Sequence, residues 1–173
     1  FNKKNFFSFG ILTNGTFITK EIAKELKKLK TGFVQLSVEG DKNKHDEIRG
    51  NDNSDFIERS IELLTNEGIK TIISFTAHKN NYKYFPKAVK WMNKFDIDYI
   101  WTDRLIPFGE GKNIVDLSLK ETKEYFEIVE KQMKKYKNKV KMIRALQFLC
   151  GGDLYSCKAG KELLTLMPDE TVY

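Results

Sequence analysis

Cysteine, arginine and long apolar runs are all scarce in this chain. Its 173 residues include two cysteines, Cys150 and Cys157, too few for a disulfide scaffold. No stretch approaches the roughly 20 consecutive apolar residues of a membrane span, so no membrane partner is expected. The start, Phe1-Asn2-Lys3-Lys4, has neither an initiator Met nor the layout of a signal peptide. With a Lys- and Glu-rich composition, this predicts a cytoplasmic protein whose chain begins inside a longer one. Arginine supplies only four of the 30 basic residues: Arg49, Arg59, Arg104 and Arg144. The net charge of +6 therefore comes from lysines, which are mixed with Glu along helical segments, as in residues 21–28. A nucleic-acid groove would concentrate the charge and interleave aromatics, so solvated helix faces explain it better and no nucleic-acid partner is expected.

What is present is an alternation of short apolar runs and amphipathic stretches. With 40% apolar and 31% charged residues, the length suits one domain with a sizeable core. Residues 6–12 read as a strand ending at Thr13-Asn14-Gly15. Thr19 then caps a helix over 20–30, with Ile22, Ala23, Leu26 and Leu29 inward. Phe33, Val34 and Leu36 lead into Ser37-Val38-Glu39-Gly40, the end of a second strand, and a charged loop follows as far as Arg49-Gly50. Asn53-Ser54-Asp55 offer caps for a helix that Gly68 closes. Residues 70–76 are β-branched and continuous, the composition of a strand buried on both faces. Pro86 suits the first turn of a helix over 87–95, and a fourth strand runs from Tyr99 to Ile106. Ser118 caps a long amphipathic helix over 120–136, and 140–145 suits a further strand. Strand and helix repeat at a spacing of about 30 residues, which predicts right-handed βαβ units, a parallel sheet and an α/β fold.

Composition shifts at Cys150-Gly151-Gly152-Asp153, and Pro168-Asp169-Glu170 between short apolar runs signals a hairpin. A division into residues 1–145 and 146–173 is therefore expected.

Each strand tip carries polar groups: 13–14, 37–39, 76–81 and 105–109. Ligands of α/β sheets bind at the carboxyl ends of strands. A hydroxyl at Ser37 and a guanidinium at Arg49 suit an anionic group, although a turn serine and a surface arginine would look the same. His45 reads as a solvated loop residue and His78 as one that orders its loop. Glu39 fits either a loop cap or a substrate contact, and Trp91 and Trp101 fit core positions. Gly109 and Gly111 form neither a P-loop nor a dinucleotide fingerprint.

In order along the chain, Thr13-Asn14-Gly15-Thr16, Ser37-Val38-Glu39-Gly40, His45-Asp46 with Ile48-Arg49-Gly50, Asn81, Pro107-Phe108-Gly109-Glu110-Gly111 and Cys157-Lys158-Ala159-Gly160 resemble one family. It is that of the radical S-adenosylmethionine (SAM) enzymes, in particular those with a C-terminal auxiliary iron–sulfur domain of the SPASM type. The resemblance implies part of a partial (β/α) barrel over 1–145, then the opening of a small cysteine-ligated domain over 146–173. It implies SAM and [4Fe–4S] clusters as cofactors and reductive cleavage of SAM to a 5′-deoxyadenosyl radical, which takes hydrogen from a peptide or protein substrate. A reductant such as flavodoxin or ferredoxin is implied as a partner. By the same resemblance Ser37 and Arg49 hold the SAM carboxylate, Thr13 and Asn14 lie near its amino-acid end, Leu105 contacts the adenine, and Cys150 and Cys157 ligate an auxiliary cluster. The C-x3-C-x2-C motif that holds the SAM-cleaving cluster is not among these residues, which suggests an internal fragment, inactive alone. Two other readings fit the tips: an ordinary (β/α) barrel enzyme for an anionic metabolite, and a non-catalytic barrel that binds a peptide partner.

Overall fold

The β-branched run near the middle of the sequence lies at the middle of the sheet. In the computed structural model, Gly10–Thr13 (β1), Phe33–Ser37 (β2), Thr71–Ala77 (β3), Tyr99–Arg104 (β4) and Val140–Met142 (β5) form one five-stranded sheet. Every pairing is parallel, and the spatial order is the sequence order. An order that never reverses has no switch point, so the chain winds one way, as in a segment of a (β/α) barrel and unlike a doubly wound sheet. The structure describes residues 8–105, 109–137, 139–142, 166–167 and 171–172. Cys150 and Cys157 lie outside the described residues. Leu166 and Val172 bridge in antiparallel fashion, as the hairpin signal predicts.

Five helices connect these strands: Lys20–Lys28 (α1), Lys42–Arg49 (α2), Asn53–Asn66 (α3), Phe85–Met92 (α4) and Leu119–Lys135 (α5). The parallel register sorts the side chains onto two faces, because they alternate along each strand. Val34, Leu36, Ile73, Phe75, Ala77, Ile100 and Val140 point to the helices and form the core with Ile57, Ile61, Leu64, Phe85 and Met92. Each buried Val, Leu, Ile, Phe or Met among them is worth about 1.5–3 kcal/mol relative to exposure. Tyr125 of α5 is fully buried against Phe75, Phe85 and Tyr82, and its hydroxyl contacts that of Thr102. Burial pushes the Tyr125 phenol far above its ordinary range.

The opposite face carries a different chemistry. Its register rows are Leu12, Gln35, Ile72 and Tyr99, then Ser37, Ser74, Trp101 and Lys141, then Thr76 and Asp103. Leu12 is 68% exposed on the edge strand, while Ser37, Ser74, Thr76, Trp101 and Asp103 are half-buried. The rows become more polar toward the carboxyl ends of the strands, where the candidate site lies. Trp101 is therefore not a core residue, whereas Trp91 is buried as expected.

Three local expectations change. Residues 42–49 are helix, not a charged loop: Asp41 caps α2 by accepting from the Lys44 N–H at 3.1 Å, and Gly50 ends it at φ 105°. With Ile48 its lone aliphatic residue, that helix has almost no apolar stripe to read. In α1 Ala23 and Leu26 are buried, but Ile22 and the C-cap residue Leu29 are exposed, at 39% and 45%. The Asn53-Ser54-Asp55 group does not cap α3 with its own side chains; the carboxylate of Asp46 in α2 accepts from the Ser54 N–H at 2.7 Å and from its hydroxyl at 2.8 Å.

Candidate functional site

Ser37 ends β2 on the polar face of the sheet, and Glu39 follows two residues later. Gly40 then lets α2 approach closely: a Cβ there would meet Cβ of Lys44 at 2.6 Å. This approach brings Arg49, the last residue of α2, back to the strand tip. Its Nε lies 3.0 Å and its Nη2 2.5 Å from Oε1 of Glu39. The Glu39 side chain is 6% exposed and that of Arg49 39%, so the carboxylate is buried under a side chain that is itself partly in solvent.

The other oxygen of Glu39 has its own partner. Asn81, fully buried after β3, donates from Nδ2 to Glu39 Oε2 at 3.1 Å and to the Thr76 carbonyl at 3.1 Å. Its Oδ1 accepts from the His78 N–H at 2.8 Å. His78 in turn accepts from the Asn80 N–H through Nδ1, ordering its loop as expected. Burial lowers the His78 pKa.

His45 is not the solvated residue its charged neighbours suggest. It is 1% exposed, packs 5.9 Å from the Trp91 ring, and accepts from the Glu39 N–H through Nδ1 at 3.2 Å. That contact leaves the proton on Nε2, 3.0 Å from Asn53 Oδ1. Burial lowers the His45 pKa, with the Asn53 hydrogen bond acting the other way. His45 is one helical turn before Arg49 on α2, so backbone and guanidinium of the same tip are fixed from one helix face.

Thr13 and Asn14 form the neighbouring tip. Thr13 Oγ1 accepts from the Gly15 N–H at 3.1 Å, and Asn14 Oδ1 accepts from the backbone and hydroxyl of Thr16. Gly15 has φ 83°, a conformation that suits glycine. Leu105 is 8% exposed at the end of β4, anchored by its N–H to the Ala77 carbonyl at 2.9 Å. Gly109–Asn113 is a short 3-10 helix. Asp103, on the polar face, has its carboxyl pKa raised by burial. Among the described residues, no group of three acidic, His or Cys side chains is placed to hold a metal ion.

The arrangement offers an arginine edge at the tip of β2, the strand that Ser37 ends, and the Ser37 hydroxyl has no hydrogen-bond partner among the described residues. Such donors suit a carboxylate. The sequence model of the Radical SAM superfamily matches residues 2–92, which include β1, β2, β3 and the whole Ser37–Glu39–Arg49–Asn81 cluster.

The chain belongs to the radical SAM superfamily.

Fe-coproporphyrin III synthase of Methanosarcina barkeri (strain Fusaro / DSM 804) is 31% identical over 132 residues, which are 75% of this chain and 33% of that protein. Among solved structures, native anSMEcpe with bound AdoMet superposes with a TM-score of 0.63 at 23% identity, over 85% of this chain and 39% of that one. SuiB of Streptococcus suis bound to the precursor peptide SuiA gives a TM-score of 0.63 at 19% identity, over 78% of this chain and 31% of SuiB. These similarities show the radical SAM type of partial barrel. The chain spans about a third of the length of its curated relative.

Sequence reading left Glu39 between two roles and took His45 for a solvated residue. Glu39 lies at i+2 from Ser37, a spacing that puts both on one face of a strand. His45 and Arg49 lie at i and i+4, which becomes informative once 42–49 is read as helix.

Proposed function

We propose that this chain is the SAM-gripping part of a radical SAM enzyme, with Ser37 and Arg49 holding the carboxylate of SAM. The observation that carries this reading is the partly exposed side chain of Arg49, its guanidinium fixed on Glu39 at the β2 tip, within the span of the family match. The residues present fit the ligand. Arg49 keeps an outer edge beyond its contact with Glu39, and the Ser37 hydroxyl is uncommitted among the described residues. SAM, when bound and reductively cleaved against a [4Fe–4S] cluster, supplies a 5′-deoxyadenosyl radical that removes hydrogen from a substrate. The chain's own part is to bind and orient: Arg49 as a charge-assisted fork, Ser37 as a single donor, Thr13 and Asn14 at the adjoining tip, and Leu105 against the adenine. The motif that would hold the cleaving cluster is not among these 173 residues.

A peptide or protein substrate is the favoured class, supported by the likeness to SuiB bound to SuiA and to anSMEcpe bound to AdoMet and the Cp18Cys peptide. A SPASM-type auxiliary domain over 146–173, with Cys150 and Cys157 as thiolate ligands, is part of the same proposal, as is a reductant such as flavodoxin or ferredoxin. The 31% identity to an Fe-coproporphyrin III synthase favours a second substrate reading, a porphyrin-type molecule.

The test uses protein expressed from the complete reading frame and reconstituted anaerobically with iron and sulfide. With a one-electron reductant it should release 5′-deoxyadenosine from SAM, and Arg49→Ala should lose most of that release. No release from the reconstituted parent would overturn the reading.

A further inference from the structure

We propose that Glu39 and Asn81 are positioning residues that aim Arg49, so that the grip on a ligand carboxylate is set from the tip of β3. This rests on the reading of Arg49 given above. Glu39 engages Nε and Nη2 of Arg49 through one oxygen, which fixes the guanidinium plane and leaves the outer edge for a ligand. Asn81 engages the second oxygen and is itself fixed by the Thr76 carbonyl and the His78 N–H. Each link is better buried than the one outside it: Asn81 is fully buried, the Glu39 side chain 6% exposed and that of Arg49 39%. A carboxylate removed from water in this way needs partners on both oxygens, and it has them.

The consequence is specific. A long arginine at a helix end ordinarily samples many rotamers and is ordered by the ligand it binds. Here the protein orders it beforehand, and the cation is already matched by one anion. Discrimination of the ligand carboxylate then comes from direction rather than from free charge. Neither Glu39 nor Asn81 has to touch the ligand for this to work.

The experiment measures binding of SAM and of decarboxylated SAM, which lacks only the carboxylate, to the full chain by calorimetry. The parent, Glu39→Gln, Glu39→Asp, Asn81→Leu and Arg49→Ala are compared, with thermal unfolding of each. In Glu39→Gln and Asn81→Leu, SAM binding should fall about tenfold, as for one lost charge-assisted contact. Binding of decarboxylated SAM should stay within about twofold of the parent. Glu39→Asp, which keeps a carboxylate, should recover part of the SAM preference, and it carries the test with Asn81→Leu if Glu39→Gln does not fold. Equal loss of both ligands, or full SAM preference in Glu39→Gln and Asn81→Leu, overturns the positioning role. If Arg49→Ala alone loses the preference, only the positioning role fails; if Arg49→Ala keeps it, the reading of the site itself fails.

Discussion

The hydroxyl of Ser60, in the middle of α3, donates to the carbonyl of Gly15 at 2.7 Å across a separation of 45 residues. Both groups are buried, and Gly15 follows the Thr13-Asn14 tip directly. The bond therefore ties the Thr13-Asn14 tip to α3, the helix whose first residue, Asn53, holds His45. Ser60→Ala removes this bond and leaves the carbonyl with only the Ile18 N–H, 3.1 Å away, at a cost of about 0.5–1.5 kcal/mol. Gly15→Ala forces an L-residue into the left-handed region and brings its Cβ to 3.1 Å from Leu36 Cδ2 and Ser60 Oγ. About 1–2 kcal/mol is expected from the backbone alone. Urea unfolding should show both losses, with the m-value unchanged.

Stability should fall on mild acidification. The pKa values of His45 and His78 are both held below the ordinary histidine value by burial. The unfolded chain therefore takes up protons first, beginning near the ordinary value of about 6.5. Stability is fully present above that pH and is lost as pH falls from there through the folded values. In His45→Asn the side-chain oxygen can replace Nδ1 as acceptor for the Glu39 N–H. Its melting temperature should therefore depend less on pH between 7 and 5 than the parent's, with His78 supplying the remainder. An equal slope in the two proteins would contradict the assignment.

Asn81→Asp should produce the opposite dependence. It places a second carboxyl against the buried carboxylate of Glu39. Two such groups cannot both ionise comfortably, so one keeps a proton in the folded state at a pH where it is ionised in the unfolded chain. The folded state then binds more protons, and stability declines as pH rises. Melting temperatures of parent and variant should be most alike near pH 5 and diverge toward pH 8. A constant offset would show that the two carboxyls do not interact.

Much of this architecture was legible in the sequence because a parallel sheet writes its strands as continuous apolar runs. Residues 70–76 announced β3 within one position at each end, and Ser118 announced α5 as its cap, to which the structure adds a capping box with Glu121. What escaped was α2. Helices usually declare themselves by an apolar stripe, but α2 buries Lys44 and His45, which read as polar. With 42–49 taken as loop, the i, i+4 relation of His45 and Arg49 vanished and His45 looked solvated. Asn81 could be placed in order along the chain, but its partner lies 42 residues earlier on another strand tip, a contact that only the register of β2 with β3 creates. The face of Trp101 was hidden for a related reason: alternation assigns two faces to a strand but not which one the helices cover.

The most direct test of the central claim is a calorimetric comparison of SAM with decarboxylated SAM on the parent chain, Ser37→Ala and Arg49→Ala. If Ser37 and Arg49 hold the SAM carboxylate, the parent prefers SAM by at least about tenfold, the worth of one charge-assisted contact. Arg49→Ala then abolishes that preference, and Ser37→Ala reduces it. A parent that binds the two ligands equally, or an Arg49→Ala variant that still prefers SAM, would contradict the account.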